Sequence, residues 1–414
     1  MELVTRNINE ISKSRWLRFF GVALALTHVF TFLFWVNDAD YFTILAGKPS
    51  ICWPFLSHCD NPSVRGLFGR EFLCFYFSLA IMTAAQFLRR TDSSRKLAWY
   101  GLATLTVLKS LVLLQDYRLM GNYNYMQLLV SLAFLFLPVK EQLIPRFIVF
   151  FYFWAGTLKL NQEWLSGNIL TNTGLSPGWL HAACAYAVFL ELFLAWGLLS
   201  RKKWVLIPTL AQFVLFHAFS YQEVGFFYPL VMFSLDSCFL LRFIYSEENT
   251  EEPEPLVKTW LATPRSAAIV LALFSGMQLI PYLHPGDTAL TSEGRIFALS
   301  MLDANTRCQA RMSATWGNSH SEVGALIPAL QPRIQCDPAV FYSYIKSMCQ
   351  TGRQFAPDYS ISLDLKSKRS TDPGFHSIVD EKDMCRDELR LHIWKANDWI
   401  HDRKIAESPP SVSR

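Results

Sequence analysis

The chain has 414 residues, of which 51% are hydrophobic and 15% aromatic, while only 17% are charged, against roughly a quarter in soluble domains. That balance excludes an ordinary soluble protein and points to a membrane. The net charge of +4 is modest, its placement matters more than its size, and no basic–aromatic pattern for nucleic acid occurs.

In chain order, apolar blocks predict nine spanning helices, near 16–37, 71–88, 97–115, 123–139, 146–160, 180–200, 204–219, 225–243 and 266–283. Several are short, and eight spans plus a buried hairpin is the alternative. Arg6, Lys13 and Arg15, the run "RRTDSSRK", Lys140 and Arg146, and Arg201 to Lys203 all fall on one side if the spans alternate. That side is expected to be cytoplasmic, with the N-terminus inside and the C-terminal segment outside. The first span lacks a small-residue cleavage site and is expected to stay as a signal anchor.

Between the spans, "NQEWLSGNILTNTGLSPGW" (161–179) predicts a short interfacial lid carrying Trp164 and Trp179. The acidic, proline-bearing 245–265 predicts a solvated linker. The chain is expected to divide into a helical body (1–283), a small α+β domain outside the membrane (284–400) and a disordered tail (401–414). In that domain "EGRIFALSML" and "YSISLDL" alternate as strands, whereas "PAVFYSYIKSMCQTG" and "DELRLHIWKANDWIHD" have helical spacing. The fold class is thus an all-α polytopic membrane protein with a small C-terminal α+β domain.

Six cysteines, Cys52, Cys59, Cys308, Cys336, Cys349 and Cys385, fall in segments expected outside, while Cys74, Cys184 and Cys238 fall within spans. An even outer set suits disulfides. Cys52–Cys59 is the local pair, and the other four allow three connectivities. No CxxC and no zinc-spaced His/Cys cluster occurs, so no metal site is expected.

Ionisable residues inside spans are functional suspects because each costs roughly 2.5–3.5 kcal/mol at mid-bilayer. They are Lys109, Lys159, Glu191, His217 and Asp236. As a helix, "FYFWAGTLKLNQEWLSG" puts Tyr152, Ala155, Gly156, Lys159 and Glu163 on one face. Lys159 either snorkels to headgroups or sits beside a cleft left by Ala155 and Gly156, which admits a ligand ring or a close helix contact. In such a cleft a lysine loses hydration and becomes available as a neutral base, with Tyr152 in reach of the same ligand. Glu191 and Lys109 are candidates for a structural ion pair. His217 is either an interhelical donor or a catalyst, and Asp236 is expected near the inner end in a helix-end or hydration role.

"YFWAGTLKLNQEW" resembles the "YFIAGxxKLxxxW" signature of vitamin K-dependent gamma-carboxylases and of the bacterial horizontally transferred transmembrane (HTTM) domain proteins. "LELFLAWGLLS" and "FHAFSYQEVGFF" are similar to that family's acidic and histidine-bearing helices. "YSISLDLKSKRSTDPGFHSIVD" resembles a strand–charged turn–IxD piece of the carboxylase lumenal domain. The resemblance covers most of residues 16–390.

The resemblance implies that Lys159 deprotonates a reduced vitamin K or menaquinone-type naphthoquinone. Dioxygen then converts the anion to an epoxide through a basic alkoxide, which removes a γ-proton from a peptidyl glutamate that takes up CO2. It places Tyr152, Ala155, Gly156 and Glu191 around the quinone and His217 among the catalytic groups. Tyr123 stands where animal carboxylases have a histidine, which puts carboxylation in question more than quinol oxidation. The β-rich lumenal portion of the animal enzymes is missing, so propeptide recognition does not carry over. The absence of a usable Asn-x-Ser/Thr sequon fits a bacterial inner membrane. Expected partners are membrane lipid, quinone and a glutamate-containing protein. The alternatives are a non-catalytic scaffold or lipid- or quinone-binding protein of the same fold, and a transporter that only the intramembrane charges support.

Overall fold

The computed structural model describes residues 2–37, 51–53, 55–56, 67–119, 121–168, 170, 174–245, 264–299, 306–323 and 334–405. Cys59, most of the acidic 245–265 linker and the final nine residues lie outside the described residues, and with them the expected Cys52–Cys59 bridge, most of the linker and the end of the tail; the start of the tail expected disordered over 401–414 is instead ordered, His401 N bonding Ile378 O and Ile405 N bonding Phe375 O.

The chain opens on an amphipathic helix, α1 (Glu2–Lys13), whose Ile8 and Ile11 are buried against the bundle. There follow α2 (Arg15–Asn37), α3 (Arg70–Leu88), α4 (Asp92–Gln115), α5 (Asn122–Phe136), α6 (Lys140–Leu158) and the single turn α7 (Gln162–Leu165). Next come α8 (Pro177–Leu192), continued as a 3-10 turn over Leu194–Leu199, α9 (Lys203–Val224), α10 (Phe227–Tyr245) and α11 (Arg265–Leu279), continued to Leu283. Among the described residues six helices are long and apolar enough to cross a membrane: α2, α3, α4, α9, α10 and α11 with its continuation.

The other three expected spans are helical but fall short for physical reasons. α5 has 15 residues, about 22 Å at 1.5 Å per residue, against a ~30 Å core. α6 carries Lys140, Glu141, Pro145 and Arg146 in its first two turns. α8 stops as an α-helix at Leu192 and tightens into the 3-10 turn. All three contribute to one buried cluster that includes Phe134, Phe151, Tyr152 and Leu190; α5 and α6 are mostly buried, whereas α8 buries one face and leaves Tyr186 and Phe189 exposed.

Beyond the bundle, a short turn α12 (Thr288–Thr291) and a helix α13 (Pro338–Phe355) accompany five antiparallel strands. They are β1 (Arg307–Trp316), β2 (Ser319–Val323), β3 (Ser360–Lys368), β4 (His376–Glu381) and β5 (Arg403–Lys404), in the order β2-β1-β3-β4-β5. β1 and β2 join through Gly317–Asn318, where Gly317 has φ +52°. β3 alternates: Ile361, Leu363, Leu365 and Ser367 are buried. Phe341, Ile345 and Cys349 of α13 join the same core.

Two expectations for this region fail. "EGRIFALSML" forms no strand where it is described, because Arg295–Phe297 close a 3-10 turn after Gly294 at φ +70°. "DELRLHIWKANDWIHD" is not a helix. Asn397 accepts from His392 N at 2.7 Å and donates to His392 O at 2.9 Å, folding the segment into a turn. The strand–turn–strand over 359–380 is present as β3 and β4. Of the three connectivities, the structure has Cys308–Cys336 and Cys349–Cys385, with Cα atoms 5.5 and 5.4 Å apart. Cys74, Cys184 and Cys238 are free thiols.

Candidate functional site

α6 carries the site. Its periodicity sets Tyr152, Ala155, Gly156 and Lys159 on the face turned toward α8, α9 and α10, and all four are buried. Lys159 is the C-cap residue, and its side chain runs back along the helix instead of reaching out to headgroups. Its Nζ donates to Glu191 Oε2 of α8 at 2.5 Å, with the two side chains 2% and 1% exposed. A weaker bond reaches Ala155 O at 3.4 Å. Trp164 closes the remaining side with its ring centroid 5.1 Å from Nζ. The indole is held by Cys184 O at 3.2 Å, and α7 itself is started by Asn161 Oδ1 accepting from Trp164 N. The expected lid above Lys159 is therefore Trp164; Trp179 is 72% exposed.

The cleft expected beside Gly156 is occupied by protein. A Cβ added there would lie 2.9 Å from Leu192 Cγ and 3.1 Å from Glu191 Cβ. Glycine here lets α6 and α8 approach closely and bring the two charges together. The pairing also corrects an expectation: Glu191 pairs with Lys159, not with Lys109.

One turn deeper lies a second hydrogen-bonded group. Tyr152 Oη is 2.9 Å from both oxygens of Asp236 on α10 and 2.8 Å from His217 Nε2 on α9. All three are buried. With Asp236 ionised, the single phenolic proton goes to the carboxylate, so Oη accepts from Nε2–H. The bare nitrogen is then Nδ1, which is buried and has no hydrogen-bond partner. Phe213 and Tyr228 wall the group, with ring centroids 4.3 Å from Tyr152 and 5.5 Å from His217. Asp236, expected at a helix end, is instead the anchor of this group. In charge terms Lys159 balances Glu191, whereas among the described residues Asp236 has no Lys or Arg in ion-pair reach and only His217, 3.6 Å away, could become its cation. The five groups can therefore take up one more proton without losing a hydrogen bond.

Three other expected residues have different neighbours. Tyr123 packs on Phe34 and Phe227, centroids 5.9 and 5.0 Å away. Phe227 is nine residues from Asp236 along α10, about 13 Å by helical rise, so Tyr123 stands well away from Asp236. Lys109 lies near that end of α10, 5.4 Å from the Phe227 ring, and bonds to the uncharged Thr31 and Gln127. Glu163, expected on the Lys159 face, turns to the sheet domain and binds Arg369 at 2.8 Å as well as Thr371. The depth of Asp236 inside an apolar run was the one sequence signal for its role.

Comparison with family models, with characterised proteins and with solved structures gives no match.

Proposed function

We propose that the chain is a multipass membrane enzyme of the gamma-carboxylase or HTTM type. It would oxidise a reduced naphthoquinone to its epoxide with O2 and couple this to CO2 uptake by a peptidyl glutamate. The observation that carries the reading is the sealed Lys159–Glu191 pair at 2.5 Å. Two buried ions lose most of their solvation, so the ionic form gains little over the neutral one. Moving one proton from Nζ to the carboxylate leaves an amine and an acid with no change of net charge. The amine is then the base that the reading needs, kept dry by Trp164 and Leu192. Tyr152, His217 and Asp236 supply the place for the proton taken from substrate.

The residues do not accept a naphthoquinone ring beside Gly156 as they stand, since Leu192 and Glu191 fill that face. The same filled face favours the second reading, a scaffold or lipid-binding protein that retains the bundle without the chemistry.

The reading also sets the protein in a bacterial inner membrane. α5, α6 and α8 complete nine crossings, the N-terminus is cytoplasmic and the sheet domain is outside. The two disulfides of that domain suit an oxidising compartment.

The test supplies purified protein with reduced vitamin K, O2, labelled bicarbonate and a glutamate-rich peptide. Epoxide that disappears in Lys159→Ala supports the enzyme. Epoxide without label in the peptide assigns the defect to Tyr123, with Tyr123→His as the follow-up. Neither product from the wild-type chain favours the scaffold.

A further inference from the structure

Arginines gather at one end of the bundle, where α2 and α4 begin and α3 ends. Arg18 of α2, Arg89 at the C-cap of α3 and Arg95 of α4 line a recess of about 10 Å³ against Ser12 and Trp99. That is room for about one water-sized group, such as a phosphate oxygen. We propose that this recess seats the headgroup of an acidic phospholipid, its phosphate bound by Arg18 and the Arg89–Arg90 pair.

Three observations carry this. First, Arg18 is a cation without an anion. Its Nε is buried with no hydrogen-bond partner, and no carboxylate pairs with it among the described residues. The charges that act on it are Arg90, Arg95 and Arg15, all of its own sign. An anionic oxygen accepting from Nε–H would satisfy the donor and relieve the repulsion. Second, the carboxylates on the surrounding helices are engaged or distant. Asp92 binds Arg95 at 2.9 Å, and Glu10 of α1 turns to Lys140. Glu2 and Glu71 sit in the first turns of α1 and α3, at the other ends of those helices from the recess. Arg15 lies over the Tyr245 ring, 5.1 Å from its centroid. Arg18, Arg89 and Arg90 keep no ion pair among the described residues, so the recess is net positive. Third, the surround is apolar. Leu88, Leu97 and Tyr100, close to these arginines along α3 and α4, are 56%, 55% and 54% exposed. The three helices α2, α3 and α4 are each long enough to span, so their ends lie at headgroup level. A phospholipid meets both features, with phosphate on the guanidinium groups and acyl chains along Leu88 and Tyr100. A free phosphate meets only one.

This inference does not depend on the quinol reaction. The experiment reads lipid retained per chain by native mass spectrometry after delipidation and reloading with phosphatidylglycerol or with phosphatidylethanolamine. Arg18→Gln removes the unpaired guanidinium, and the double variant Arg89→Gln with Arg90→Gln removes two exposed charges that folding does not need. Arg201→Gln with Lys202→Gln removes the same charge from another connection as a control. The expected result is one phosphatidylglycerol on the wild-type chain in preference to phosphatidylethanolamine. Retention should weaken about fivefold in Arg18→Gln and further in the Arg89/Arg90 variant, with no change in the control. Equal retention of the two lipids, no loss in the arginine variants, or an equal loss in the control would each overturn it. So would displacement by inorganic phosphate, or by a peptide of the chain's own acidic residues 246–255. Should Arg18→Gln fail to fold, the Arg89/Arg90 variant decides.

Discussion

Lys159 and Glu191 meet with 2% and 1% exposure, and this makes the two side chains energetically inseparable. Removing either leaves an uncompensated buried charge, so Glu191→Ala should lose about 3–5 kcal/mol in thermal or denaturant unfolding. The paired replacement Lys159→Met with Glu191→Leu should recover most of that stability while abolishing the chemistry. A merely structural pair would leave any product yield intact. Gly156→Ala is the steric counterpart. Its Cβ meets Leu192 at 2.9 Å, so a loss of about 1–3 kcal/mol is expected from the same unfolding measurement.

At the scale of elements, α13 shows how burial couples to pH. Asp337 caps it, accepting from Ala339 N at 2.9 Å and from Tyr117 Oη of the bundle at 3.3 Å. Burial pushes its carboxyl up to about 6, against the opposing pull of those two bonds. An unfolded aspartate releases its proton near 3.9, so between about pH 4 and 6 the native chain holds the extra proton. Stability therefore falls as pH rises through that window, by ~3 kcal/mol at most, and Asp337→Asn should flatten the profile. Asp287 behaves oppositely. Burial raises it, but the hydrogen bonds and charge of Arg369 outweigh that and hold it below the usual range. Its contribution is present at neutral pH and is lost only as pH falls through the lowered value.

The same elements show what the sequence makes legible. Helices α2, α3, α4, α9, α10 and α11 could be read because an apolar run of span length has few other uses in a folded chain. The shared face of Tyr152, Ala155, Gly156 and Lys159 followed from helical spacing alone. Partners did not follow. Glu191 is 32 residues from Lys159 and Asp236 is 84 from Tyr152, so which helices touch decides the pairing. Periodicity misled over 387–402, where the Asn397 side chain offers the backbone a turn that competes with a helix.

For the molecule as a whole, bundle and sheet domain are tied by few but specific bonds. Arg369 links Glu163 to Asp287, Tyr125 Oη donates to Phe297 O at 2.8 Å, and Leu299 N donates to Gln278 Oε1 at 2.8 Å. The domain is stapled by Cys308–Cys336 and Cys349–Cys385, and breaking either by mutation should cost about 2–5 kcal/mol. Peptide mapping without reductant should recover those two pairs and no exchange between them. The central claim is that the pair on α6 and α8 moves a proton. Epoxide formation from reduced vitamin K and O2, compared at pH 7 between wild type, Lys159→Ala and Glu191→Gln, tests it most directly. Product from the wild-type chain and its loss in both variants are expected; equal product from all three would contradict proton transfer by the pair.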